Sequence, residues 1–154
     1  MRVLHLALAA TLLAGAADAS CSDARLELRG DWGTARFRIE VADTPEERAL
    51  GLMNRPEMAR SAGMLFIYDE PQRVSFWMAN TLIPLDMIFM DERGTVTRIH
   101  ENAVPLDRTA IPGGEGVQYV LEINGGLSEA IGITVGSEMR HPAIDEALAV
   151  WPCE

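Results

Sequence analysis

The chain contains no lysine; all 13 of its permanent side-chain cations are arginines. That absence excludes Schiff-base chemistry and serine–lysine dyads. It leaves guanidinium groups, suited to planar contacts with carboxylates or phosphates, to carry the positive charge. Histidine is nearly missing too: beyond His5 only His100 and His141 occur. Neither stands in a nucleophile setting, and no Gly-x-Ser-x-Gly elbow is present. His-x-His, His-Glu-x-x-His and calcium-loop spacings are likewise absent, so neither a metal site nor a cofactor is expected. Methionine is plentiful (Met53, Met58, Met64, Met78, Met87, Met90), which in an exported protein raises copper. These residues fall in apolar strands or beside a helix stripe, however, where methionine fills cores. The net charge of −10 excludes nucleic acid and anionic membrane as partners.

Long hydrophobic runs are missing except at the start. Arg2, the apolar run Val3 to Ala17 and the small-residue site Ala17-Asp18-Ala19 have the order of a secretory signal peptide. The run is too short to span a bilayer comfortably and no basic stop follows it. Residues 1–19 are therefore expected to be removed, leaving 20–154 as a single globular β domain, periplasmic or extracellular and free of the membrane. Lipidation at Cys21 ranks second, because Asp18 stands where a lipoprotein motif wants an aliphatic residue. Cys21 and Cys153 are the two cysteines, without Cys-x-x-Cys spacing, and in an oxidising compartment they predict one disulfide closing almost the whole mature chain.

Arg25 to Arg29 and Ala35 to Val41 alternate about the turn Gly30-Asp31-Trp32-Gly33, with Phe37, Ile39 and Val41 facing in: a hairpin with one wet face. Thr44, Pro45 and Glu47 predict a capped helix start, with the helix running through Arg48, Leu52 and Met53 and fading near Pro56. Arg48 and Arg55 then lie two turns apart on one side. Strands are expected at Gly63–Tyr68, Val74–Ala79, Leu85–Met90, Thr95–Glu101, Val117–Ile123 and Ile133–Met139. A Pro/Gly-rich loop spans Ala103 to Gly116, and short helices are expected at Leu127–Ile131 and Ala143–Trp151. The strand count predicts an all-β fold, a mostly antiparallel sandwich or barrel with two or three short helices.

Everything functional converges on Ser75 to Phe89. Asp86 lies there among Leu, Met, Ile and Phe, and a charge buried in such company needs a partner. It either pairs with a cation (Arg48, Arg55 or Arg73) or lines a site. Glu122, in another apolar strand, makes a possible carboxylate pair with it, as in glycoside hydrolysis. Trp77 beside Asn80 and Thr81 offers an aromatic platform with polar groups at its rim. The plainer reading has Trp77 plugging the barrel end while Asn80 and Thr81 bond their own corner.

Four blocks, RALGLMNRPEM (48–58), GMLFIYDE (63–70), SFWMANTLIPLDMIFMD (75–91) and YVLEINGG (119–126), resemble the signature of the family called domain of unknown function 192. Its pattern is matched by Arg48/Gly51/Leu52/Met53, Gly63/Met64/Phe66, Phe76/Trp77/Met78/Asn80/Thr81 and Pro84/Leu85/Asp86. The resemblance implies a compact β-sandwich or barrel with short helices and often an exported protein, and it brings no activity. The expectation is a binding module for a small polar ligand or an exported protein partner, using Trp77, Asn80, Thr81, Asp86, Arg48 and Arg55. The alternatives are a hydrolase acting through Asp86 and Glu122, or a domain in which these residues only brace the fold.

Overall fold

The computed structural model describes residues 21–153. The signal-peptide reading falls on residues outside that span. The described elements are β1 (Arg25–Gly30), β2 (Gly33–Ala42), α1 (Pro45–Leu50), β3 (Ala62–Phe76), β4 (Leu85–Met90), β5 (Val96–Ala103), β6 (Ile111–Asn124), α2 (Leu127–Ile131) and β7 (Glu138–Arg140). They form one seven-stranded sheet in the order β5-β4-β6-β3-β2-β1-β7. All pairings are antiparallel except β2 with β3, which run parallel because α1 carries the chain back between them. The sheet curls until its edges meet at one end, where Thr95 bridges Glu138 and the Val96 N–H donates to the Ser137 carbonyl. The fold is all-β, a half-closed barrel with two short helices.

Curling divides the core in two. Inside the curl pack Leu26, Leu28, Phe37, Ile39, Leu65, Ile88, Met90, Leu121 and Ile123, capped by Leu127 of α2. On the outer face of β3, β4 and β6 a second layer forms from Met64, Phe66, Met87, Phe89 and Val120, covered by Leu52, Met78 and Ile83. All residues of β4 are consequently buried, which is why Leu85 to Met90 shows no alternation.

The hairpin β1–β2 forms as expected, with Phe37 and Ile39 buried and Val41 partly so. Glu27 of β1 is 4% exposed and is clamped between Arg36 and Arg140. Burial opposes its ionisation, but the Arg140 and Arg36 hydrogen bonds win and hold its carboxyl below the usual range. The Arg-clamped buried acid of this fold is thus Glu27 and not Asp86. The Thr44–Glu47 capping box is present, with the Glu47 N–H donating to Thr44 Oγ1 at 3.2 Å.

Five expectations need correction. The first helix stops at Leu50, because Gly51 takes φ 48° and ψ −134°, so Arg55 lies off the helix. Gly63–Tyr68 and Val74–Phe76 are parts of one bent strand, β3, which stays paired with β6 through register shifts between Ile67 and Ser75. Of the loop expected over Ala103–Gly116, the part from Ile111 onward is the other half of that ribbon. The chain from Ala143 to Trp151 makes turns, not a helix, and the last strand is only Glu138–Arg140.

Cys21 and Cys153 are joined, 132 residues apart, with Cα atoms at 5.7 Å. A lipid thioether at Cys21, the second-ranked expectation, would need the same sulfur. Nearby, the guanidinium groups of Arg29 and Arg140 lie 4.4 and 4.6 Å from the ring centre of Trp151.

Candidate functional site

The register of β4 against β6 pairs Asp86 with Ile123 and Met87 with Glu122. Opposed residues share a face and neighbours alternate, so Asp86 points into the curl and Glu122 points to the outer layer. The two carboxylates therefore lie on opposite faces of the sheet and cannot flank one bond. Carboxylate-pair hydrolysis by Asp86 and Glu122 is ruled out on this geometry.

Asp86 is fully buried, and its partners are not arginines. Its Oδ1 accepts from the backbone N–H groups of Asn102 and Gly126, each at 2.8 Å. Its Oδ2 accepts from the Ser128 N–H at 2.8 Å and from Ser128 Oγ at 2.6 Å. Gly126 is the N-cap of α2 and has no side chain to serve its unpaired N–H groups; Asp86 does so from a strand 40 residues earlier. Next to it, the Gly125 N–H donates to the Pro84 carbonyl at 2.9 Å, and a Cβ at Gly125 would stand 2.9 Å from Pro84 Cβ. Pro84-Leu85-Asp86 and Asn124-Gly125-Gly126 are one bracing unit.

The expected cations go elsewhere. Arg55 forms a fork with Glu40, at 2.5 and 2.7 Å, and that hydrogen-bonded pairing lowers the Glu40 pKa and raises its own. Arg73 pairs with Glu115. Arg48 donates to the carbonyls of Asp43 and Ile67 (the latter at 2.8 Å) and lies 5.0 Å from the Tyr68 ring centre.

On the outer face the remaining candidates meet. A notch of about 40 Å³ is lined by the turn from Arg48 to Met53, by Phe66 and Phe76, and by Trp77, Thr81 and Glu122. Phe66 and Phe76 stand edge to face, 5.1 Å between centres. Gly51 lets the chain leave α1 in a conformation reserved for glycine, and a Cβ there would be 3.2 Å from Phe66 Cζ. Trp77 does not plug the barrel: it is 51% exposed at the rim, with Arg108 5.5 Å from its ring centre. Thr81 is buried, and its hydroxyl donates to the Ala79 carbonyl at 3.2 Å, its own corner as expected. Asn80 adopts φ 54° and its amide approaches Met53 Sδ at 3.9 Å, adjoining the notch without lining it.

Glu122 forms the floor. It is 4% exposed, and no described residue hydrogen-bonds its carboxyl. Burial alone pushes its pKa up to about 8, so at neutral pH it is a protonated acid. The Tyr68 hydroxyl is raised as well, by burial first, with Arg48 working against and Glu122 adding to the shift. The rim is apolar, with Leu50 and Trp77 more than half exposed. Among the described residues no cluster of His, Cys, Asp and Glu could hold a metal, and no helix is long and apolar enough to cross a membrane.

The family model for domain of unknown function 192, described as uncharacterized ACR, matches residues 26–141. The chain belongs to that family. No curated protein matches it. Among solved structures, a protein of unknown function from Novosphingobium aromaticivorans is 43% identical, covering 75% of this chain and 82% of its own, with a TM-score of 0.73. A Sinorhizobium meliloti protein, whose proposed role is transcription regulation, is 41% identical, covering 78% of this chain and 94% of its own, with a TM-score of 0.74. The blocks that mark the family divide between the two faces. Pro84-Leu85-Asp86 and the Asn-Gly-Gly run brace α2, whereas Arg48, Gly51, Met53, Phe66, Phe76, Trp77 and Thr81 line the notch.

Proposed function

We propose that this member of the family is an exported binding module whose site is the notch between Trp77 and Glu122. The observation that carries the reading is Glu122 itself. A carboxyl that no described residue hydrogen-bonds, set at the foot of a notch and reached by solvent only through it, is placed where a ligand can meet it. A half-exposed tryptophan above a polar floor is also the make-up of a binding pocket. The strained backbone around the mouth, with positive φ at Asn54, Asn80 and Leu106, fits a preformed site. Asp86, held by four donors, serves as a brace, and Arg55 is occupied by Glu40. Export is supported by the Cys21–Cys153 bond, which belongs to oxidising compartments.

A ligand screen read by the indole resonance of Trp77 tests the site. Sugars, amino acids, peptides and nucleotides are added to the disulfide-intact protein. A ligand of this site shifts that resonance, and its binding is lost in Trp77→Ala, whose melting temperature stays within a few degrees of the parent. Hits that bind Trp77→Ala equally well would place the site elsewhere and refute the reading.

A further inference from the structure

We propose that the notch takes a primary ammonium group on an unbranched alkyl stem, with Glu122 as its counter-ion and Phe76 and Trp77 as walls for the stem and the charge. The inference names the ligand class of the site above and rests on that reading. Four observations carry it. The floor is an acid that no described residue hydrogen-bonds and that opens to the notch, so an incoming cation displaces water from it and no protein partner. Aromatic faces flank the path to it, and such faces attract cations, most strongly where water is excluded. The Thr81 hydroxyl spends its proton on Ala79 and so keeps lone pairs for one more donor, which suits the three N–H bonds of an ammonium. The size also fits: about 40 Å³ holds roughly three water-sized groups, which is an ammonium nitrogen and its last two methylenes. A guanidinium, planar with five donors in a fork, would leave most of them unpaired here.

The chain has no lysine to fill the site from within, and its net charge of −10 draws cations toward it. The charged and titratable groups facing Glu122 are Arg48 from α1 and Tyr68 from β3. From β4 the residue opposite is Met87, and the Trp77–Thr81 corner contributes no ionisable side chain. The Arg48 guanidinium is tied to the Asp43 and Ile67 carbonyls. Binding then proceeds as a proton exchange: the ammonium enters with its charge, the Glu122 O–H bond breaks, and its proton leaves to solvent.

The test titrates n-butylammonium, butyrate and n-butanol into the disulfide-intact protein by calorimetry at pH 6, 7 and 8, in two buffers of different ionisation enthalpy. The expected result is saturable binding of butylammonium with release of about one proton, tightening about tenfold per pH unit below the Glu122 pKa. Binding disappears in Glu122→Gln and weakens in Trp77→Ala. Blocked pentapeptides carrying one lysine or one acetyl-lysine identify the source. Lysine peptide binding at least tenfold tighter than butylammonium assigns the site to a partner chain, and equal affinity assigns it to a free amine. Binding of butyrate or butanol that requires Trp77, or of butylammonium that survives Glu122→Gln, overturns the ammonium inference and leaves the site standing. A Trp77 resonance unmoved by every probe here and in the screen overturns both.

Discussion

Replacing Glu122 by glutamine separates the charge of the notch floor from its shape. With a folded pKa of about 8 against an ordinary 4.5, the folded protein holds a proton that the unfolded chain releases. Below the ordinary carboxyl range both states are protonated and the group costs nothing. As pH rises through the window between the two values, only the unfolded state ionises, and stability falls by about 1.4 kcal/mol per pH unit. Above the folded value both states are ionised and the loss levels off. At about pH 7 the accumulated cost is about 3 kcal/mol. Glutamine has the same size and no charge to lose. Glu122→Gln is therefore expected to be about 3 kcal/mol more stable than the parent near neutrality, a rise in melting temperature of about 10 °C, and nearly equal to it around pH 4. Urea unfolding of both proteins across that range measures the difference directly. A difference that does not change with pH would show that Glu122 is ionised in the folded protein, and the account of the notch floor would be wrong.

Further outcomes follow from the other parts of the fold. Asp86→Asn replaces one of two acceptor oxygens with an amide donor facing N–H groups that need an acceptor, and should cost about 3–5 kcal/mol in urea unfolding while leaving the notch chemistry intact in whatever remains folded. Opening the Cys21–Cys153 bond, by reductant or by Cys21→Ala with Cys153→Ala, should lower stability by about 4–5 kcal/mol on loop entropy, read as a fall in melting temperature. Gly51→Ala forces a side chain into a glycine-only conformation against Phe66, and a loss of about 1–3 kcal/mol by urea unfolding is expected. Arg55→Ala breaks a surface fork with Glu40 and should change stability by no more than about 1 kcal/mol, with no change in ligand binding.

Side-chain pattern made some of this architecture readable from the residues alone. Phe37 and Ile39 alternating with arginines, the Thr44–Glu47 capping box and the unbroken apolar run of β4 are signals carried by side chains. The long ribbon of β3 and β6 was not readable, because Asp69 to Gln72 and Gly114 to Gly116 are wet on both faces where they leave the body of the sheet and show no period. The fate of Asp86 was hidden for a different reason. A buried carboxylate announces that it has partners, but backbone amides at Asn102, Gly126 and Ser128 leave no mark in residue identity, so arginines were the only partners in view. Glu122 was found, but the face it occupies depends on strand register, which β4 and β6 settle only by pairing. Phe66 and Phe76 read as core residues, and nothing short of the curled sheet shows them to be walls of an opening.

The capping of α2 by Asp86 has a bearing on the order in which the molecule assembles. A five-residue helix cannot persist by itself in water, and this one starts on a glycine that offers its N–H groups nothing. Its acceptor arrives only when β4 has aligned beside β6, since that register is what brings Asp86 to the amides of Gly126 and Ser128. Leu127 can then descend on the open end of the curl and shut out water. Helix α2 is therefore expected to fasten only once the sheet is in register, and a strand slipped by one residue would leave it uncapped.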